Sequence, residues 1–228
     1  MFISKNLINC LKIHTQATCF RLHSSSSPYL EVKTMAHKAL LVIADGSEEM
    51  ESTIPADVLR RGGIDVMIAG LKSAEPVKCS RGVKIVPDAS LADVSSGNYD
   101  VVILPGGLAG AESFCASKEI GELLKKQETA NKYIAAICAA PTAIKHHSIG
   151  VGKRLTSYPA MYERFNDGSN SHQYVHDQTT VVDGKLVTSK GPGTAFEFAL
   201  KLVELLEGAE VADKVKQGLL LSDLPPKG

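Results

Sequence analysis

From Ala39 onward, short apolar runs rich in β-branched residues alternate with stretches whose apolar residues fall at helical spacing. That alternation constrains the chain more than any other feature. A strand written as an unbroken apolar run has both faces covered, the condition of a parallel sheet with helices on each side, so the pattern predicts an α/β fold. Ala39 to Ala44 (ALLVIA) reads as the first strand, and Ser47 is placed to cap a helix from about Glu48 to Arg61 that Gly62 and Gly63 stop. Asp65 to Ala69, Asp100 to Leu104 (DVVIL) and Tyr133 to Ile137 (YIAAI) read as further strands, and Ser117 caps a helix over Lys118 to Thr129. Ala139 to His147 fits a helix. Asp183-Gly184 between two β-rich runs signals a hairpin, Thr194 opens a long helix to Glu207, and Val211 to Gln217 forms a last one.

The chain has 228 residues, 44% of them apolar, which is enough for one domain with a full core, expected over residues 36–222 and followed by a tail over 223–228. Lys+Arg and Asp+Glu both total 25, so no long-range field gathers nucleic acid or anionic lipid, and neither is expected as a partner. The cysteines, Cys10, Cys19, Cys79, Cys115 and Cys138, are odd in number and widely spaced, with no CxxC pair and no metal-ligand spacing. Free thiols in a reducing compartment follow. No apolar run approaches the roughly 18 residues of a membrane span.

Residues 1–35 differ from the rest. Before Glu31 the only fixed charges are Lys5, Lys12 and Arg21, while Ile3, Leu7, Cys10 and Leu11 fall at helical spacing and Ser24 to Ser27 is a serine run. Two readings stand side by side: a mitochondrial transit peptide, or a disordered extension ahead of Met35. Cytoplasm and mitochondrion are the expected locations, with the nucleus a further one.

Sites in an open parallel sheet form at the carboxyl ends of strands. Three segments meet there: Asp45 to Glu51, Pro105 to Gly110, and Cys138-Ala139-Ala140. Cys138 stands at an abrupt strand-to-helix turn, where a side chain projects into the site and a helix N-terminus favours thiolate, so a lowered pKa is expected. A buried core cysteine is the plainer reading of any free thiol. The N–H groups of Gly107 and Ala139 are placed to form an oxyanion hole, though Pro-Gly-Gly also reads as a simple turn. Of the acids in the first turn of the first helix, Glu48 and Glu49 are expected to be solvated. Glu51, three residues before Ile54 on the apolar face, is the one expected to point inward, protonated and donating to the sulfur. Cys79 reads as a loop or strand-edge thiol and Cys115 as a loop thiol, His146 and His147 lie too far along their helix to act on Cys138, and His172 and His176 read as surface residues.

Together Ala44 to Glu51 (ADGSEEME), Leu104 to Gly107 (LPGG), Ala136 to Pro141 (AICAAP), Ser189 to Thr194 (SKGPGT) and Phe196 to Leu200 (FEFAL) closely resemble the parkinsonism-associated deglycase family of the PfpI superfamily. The resemblance runs from about Met35 to Leu221. It implies a flavodoxin-like three-layer sandwich, a homodimer, and a cysteine that oxidises to a sulfinate. It also implies protection against oxidative stress, redox-sensitive chaperone activity on client proteins, and hydrolysis of methylglyoxal or glyoxal adducts of amines and thiols, with no metal or organic cofactor. Carried onto this sequence, Cys138 matches the nucleophile, Glu51 the acid bonded to it, Gly107 and Ala139 the backbone donors, and Arg61 an interface arginine near the site. Gly106 and Tyr158 are expected to line the substrate position, and Cys79 joins Cys138 as an oxidation-sensitive thiol. Two positions depart from the pattern: Tyr158 replaces the histidine before a proline, and Ala140 replaces a glycine.

The same cysteine serves two functions equally well on paper, a cofactor-free hydrolase or lyase acting on dicarbonyl adducts and a non-catalytic redox sensor. An intracellular cysteine peptidase would need a histidine beside the nucleophile, where this chain has Ala139. A glutamine amidotransferase would need a late His and acid pair, and SKGPGT offers neither.

Overall fold

The computed structural model describes residues 36–169 and 171–223. The expected extension over 1–35 and all but the first residue of the tail lie outside them. The chain runs β1 (Lys38–Ile43), α1 (Glu49–Arg61), β2 (Asp65–Gly70), then three two-residue strands β3 (Val77–Lys78), β4 (Lys84–Ile85) and β5 (Ala89–Ser90), and a single turn α2 (Leu91–Val94). Next come β6 (Val101–Leu104), α3 (Leu108–Ala116), α4 (Lys118–Thr129), β7 (Tyr133–Ile137) and α5 (Pro141–His146). The last part holds β8 (Arg154–Leu155), a 3-10 turn over Pro159–Arg164, β9 (Gln173–Tyr174), β10 (Thr180–Asp183), β11 (Leu186–Ser189), α6 (Ala195–Glu207) and α7 (Ala209–Gly218).

Seven strands form one sheet in the order β10-β11-β7-β6-β1-β2-β5, parallel except for the β10–β11 hairpin at one edge. Alternate residues of the central strands feed two separate cores, because successive side chains of a strand point to opposite faces. Leu41, Ile43, Ile103 and Ile137 pack with Val58 and Leu59 of α1 and Phe198 and Leu202 of α6. On the other face Leu40, Val42, Val102 and Leu104 pack with Phe114, Leu124 and Ile144. Each such large side chain, fully removed from water, contributes about 1.5–3 kcal/mol. The three-layer α/β sandwich expected from the unbroken apolar runs is therefore what the chain forms.

Local differences from the sequence reading have physical causes. Glu48, not Ser47, caps α1: its carboxylate accepts the Glu51 N–H at 2.8 Å, while the buried Ser47 hydroxyl accepts the Ala44 N–H at 3.0 Å and so closes the preceding loop. Cys115 lies in helix α3 and not on a loop. The helix after Cys138 begins at Pro141, because Cys138 itself takes a left-handed backbone conformation that no helix can include. The expected Ser117 cap and the 118–129 helix are both present, with the Ser117 hydroxyl accepting the Ile120 N–H. No helix among the described residues is long and apolar enough to cross a membrane.

Candidate active site

Cys138 follows β7 directly and has φ +66°, a conformation costing a β-carbon residue about 1–3 kcal/mol unless its surroundings impose it. Both adjacent peptide groups are held. The Cys138 N–H donates to the Ser189 carbonyl at the end of β11 (2.9 Å), and its carbonyl accepts the Tyr158 N–H (2.8 Å). Buried Ala139 and Ala140 follow, and Pro141 starts α5 where a missing N–H costs nothing. The turn aims the sulfur at the carboxyl end of the sheet, as in a nucleophile elbow.

The other two loops close around it. The Gly106 N–H donates to Glu51 Oε2 at 2.8 Å, and the Gly106 carbonyl accepts the Glu48 N–H at 3.0 Å, which ties the Pro-Gly-Gly turn to the start of α1. A β-carbon at Gly106 would lie 2.5 Å from the Cys138 β-carbon, 2.6 Å from Glu51 Oε2 and 2.9 Å from the Ala139 nitrogen. Only glycine lets the cysteine, the acid and the backbone donor converge. Gly107 has φ +81°, and a β-carbon there would overlap the Gly46 carbonyl.

Glu51 is fully buried beside Cys138; its Oε2 accepts the Gly106 N–H, and its second oxygen, Oε1, has no hydrogen-bond partner. Burial pushes its pKa up to about 7, with the Cys138 and Gly106 hydrogen bonds acting in the opposite sense. Burial and then the Glu51 charge push the Cys138 thiol up to about 12, opposed by hydrogen bonds from the Gly107 and Ala139 N–H groups. The lowering expected from a helix N-terminus alone is therefore overturned: a half-buried sulfur beside a carboxylate cannot carry a second negative charge. The pair holds one negative charge near neutrality. That charge rests on Glu51, the more acidic of the two, whose Oε2 accepts the Gly106 N–H, while two backbone donors face the sulfur.

Gly106, Gly107, Ala139, Glu51 and Cys138 thus stand together. Tyr158 stands with them, its ring exposed and close to Gly191, where a β-carbon would be 3.4 Å from Tyr158 Cδ2 and 3.9 Å from Glu51 Oε1. Arg61 does not: it lies ten residues along α1 from Glu51, about 15 Å, exposed and paired with Asp57 at 2.8 Å. Cys79 is buried beside a separate cleft lined by Asp45, Lys78, Arg81 and Leu108, and burial followed by the charges of Glu49, Glu48 and Asp45 pushes its thiol up to about 11. Cys115 contacts the Thr142 hydroxyl at 3.7 Å, and burial raises its pKa.

Other side chains sit where the sequence did not place them. Glu49 is buried and not solvated: its carboxylate accepts the Ser80 hydroxyl (2.9 Å) and the Arg81 and Val83 N–H groups (2.6 and 3.3 Å), which fastens the 79–83 loop to α1. His172 is buried, its Nε2 2.8 Å from the Ile149 carbonyl, whereas His176 is exposed. The buried hydroxyls of Ser157 and Ser189 support the elbow from either side, Ser189 through contacts with the Thr179 carbonyl and the Thr194 hydroxyl at 2.8 and 2.7 Å. Serines at strand ends carry no signal of their own; only the SKGPGT segment pointed towards Ser189.

Residues 37–205 match the DJ-1/PfpI family. The chain is 53% identical to protein dj-1beta of Drosophila melanogaster over 188 residues, 82% of this chain and 99% of that protein, and the crystal structure of DJ-1beta superposes with a TM-score of 0.79, covering 82% of this chain and 98% of the other. Glutathione-independent glyoxalase DJR-1.2 of Caenorhabditis elegans is 42% identical over 189 residues, 82% of this chain and 98% of that protein. The structure of oxidized Toxoplasma gondii DJ-1 is 36% identical with a TM-score of 0.74, covering 81% and 98% of the two chains. An elbow cysteine, a buried glutamate and a Pro-Gly-Gly turn on a flavodoxin-like sheet, together with agreement over nearly the whole length of these relatives, identify the chain as a member of the DJ-1/PfpI family.

Proposed function

We propose that the protein is a cofactor-free, cysteine-dependent glyoxalase or deglycase acting on small dicarbonyls and their adducts with amines and thiols. The observation that carries this reading is the contact of Cys138 with a buried Glu51 whose pKa is pushed up to about 7, next to the N–H groups of Gly107 and Ala139. The Glu51 carboxylate takes the thiol proton as the sulfur adds to the aldehyde carbon of methylglyoxal, and passes it to the new oxyanion to give a hemithioacetal. Glu51 then removes the C1 proton and returns one to C2, so C1 is oxidised to a thioester while the ketone at C2 is reduced to an alcohol. Water cleaves the thioester, releasing a 2-hydroxy acid and the free thiol. The name of the 42% identical nematode relative agrees with this chemistry.

The test is methylglyoxal turnover by residues 35–228 in thiol-free buffer, beside Cys138→Ser and Glu51→Gln. Loss in both variants supports the reading; turnover equal to the Cys138→Ser background refutes it.

The redox-sensor reading uses the same sulfur, whose two backbone donors would receive the oxygens of a sulfinate. The oxidized Toxoplasma relative favours it as a second role. A homodimer and a cytoplasmic and mitochondrial location complete the proposal, with client proteins as partners of the oxidised form.

A further inference from the structure

Beside the cysteine lies a cluster of rings that the chemistry above leaves unused. Tyr162 and Tyr174 have centroids 5.0 Å apart at 62°, Tyr162 and His176 4.7 Å apart at 62°, and Tyr174 and His176 4.8 Å apart at 59°. The three rings therefore close a triangle of two edge-to-face contacts and one tilted contact. Phe165, buried, backs Tyr174 at 5.5 Å, while Tyr162 and Tyr174 remain half-buried and His176 is exposed. The cluster has one face on the core and one on solvent.

Two short paths join it to Cys138. The Tyr174 hydroxyl is 3.1 Å from the Ser157 hydroxyl, and the next residue, Tyr158, donates its N–H to the Cys138 carbonyl. On the other side Lys190 Nζ donates to the His176 carbonyl at 2.6 Å, and the following Gly191 lies against the Tyr158 ring close to Glu51 Oε1. The exposed Tyr158 leads directly into the 3-10 turn Pro159–Arg164 that carries Tyr162.

We propose that Tyr162, Tyr174 and His176 form an aromatic shelf that receives a flat, uncharged ring carried by the substrate, so that the site prefers aryl-substituted oxoaldehydes to methylglyoxal. The inference rests on the reading of Cys138 as a carbonyl nucleophile. Edge-to-face rings leave π surface outward, and a further planar ring extends the same packing. An anion is disfavoured, because Lys190 is spent on the His176 carbonyl, Lys145 beside Phe165 is spent on the Arg164 carbonyl and Asp167, and the flanking residues Glu163 and Asp177 are acidic.

The experiment measures kcat and KM for methylglyoxal and for 2-naphthylglyoxal in the wild type, Tyr162→Ala, His176→Ala, and the ring-keeping Tyr162→Phe and His176→Phe. The alanine variants should raise KM for 2-naphthylglyoxal about five- to tenfold, as lost aromatic pairing predicts, and leave methylglyoxal within about twofold. The phenylalanine variants should restore the low KM. A parallel loss for both substrates, or no loss for either, overturns the shelf. Should the wild type turn over neither substrate, the catalytic reading fails on its own, and the shelf is then judged by binding of 2-naphthyl methyl ketone followed on the His176 imidazole proton signals. A shift that disappears in Tyr162→Ala upholds it, and no shift refutes it.

Discussion

Glu51→Gln should change how stability depends on pH, and the size of the change follows from the burial of one carboxyl group. Folded Glu51 holds its proton up to about 7, whereas the unfolded chain releases it near the ordinary 4.5. A group raised on folding contributes fully below the unfolded value, and the contribution is lost as pH rises through the folded one, so the wild type loses stability between 4.5 and 7. At about 1.36 kcal/mol per pH unit, the gap corresponds to about 3 kcal/mol. Glu51 is fully buried, so solvent screening takes little from this figure. The substituted amide keeps an oxygen for the Gly106 N–H and turns its NH2 towards the sulfur, but it has no proton to lose. Urea unfolding of both proteins at intervals from about pH 4.5 to 8 measures the difference, and acids elsewhere in the fold cancel from it. The variant should gain on the wild type by about 3 kcal/mol across that range. A difference that stays flat within about 0.5 kcal/mol, an allowance on the scale of ordinary surface substitutions, would show that Glu51 ionises without penalty, and the one-charge account of the pair would fall.

Three further outcomes follow. Iodoacetamide modification of Cys138 should switch on only well above neutrality in the wild type and at a lower pH in Glu51→Gln, which lacks the carboxylate charge that raises the thiol; an identical profile in the two proteins would separate the acid from the thiol. Gly106→Ala should abolish turnover and lower stability by about 1–3 kcal/mol through overpacking, read by urea midpoint, since its β-carbon has nowhere to go; an active, equally stable variant would contradict the geometry. Cys138→Gly should be more stable than Cys138→Ala by about 1 kcal/mol, because only glycine adopts φ +66° without strain, and the reverse order in thermal unfolding would argue against a strained elbow.

The central strands were legible because VVIL, YIAAI and ALLVI are apolar throughout, which only a doubly covered strand tolerates. Helix α3 was not: LAGAESFCA offers little contrast between faces, so its sequence looks like the loop it follows. The caps show both outcomes. Ser117 has no rival for its N–H, while the Ser47 hydroxyl is drawn to Ala44 and Glu48 is left to cap. At the site, the position of Cys138 could be read from a strand end followed by alanines, but its charge could not. That depends on how deeply the sulfur is buried and on the acid that α1 brings to it, and both are products of packing. Glu49 and Glu51 differ by two residues in a run of acids; the loop over 79–83 and the Gly106 turn give them their different partners.

The hydrogen bond from Cys138 to Ser189 has a consequence for biosynthesis. Strand β11 covers the edge of β7, and until residue 189 has left the ribosome β7 has an open edge and the Cys138 N–H has no acceptor. Glu51, made nearly ninety residues before Cys138, waits for a partner whose backbone is not yet fixed. A chain stopped short of β11 therefore lacks the acceptor that holds the Cys138 backbone in its left-handed turn, and would emerge without the site.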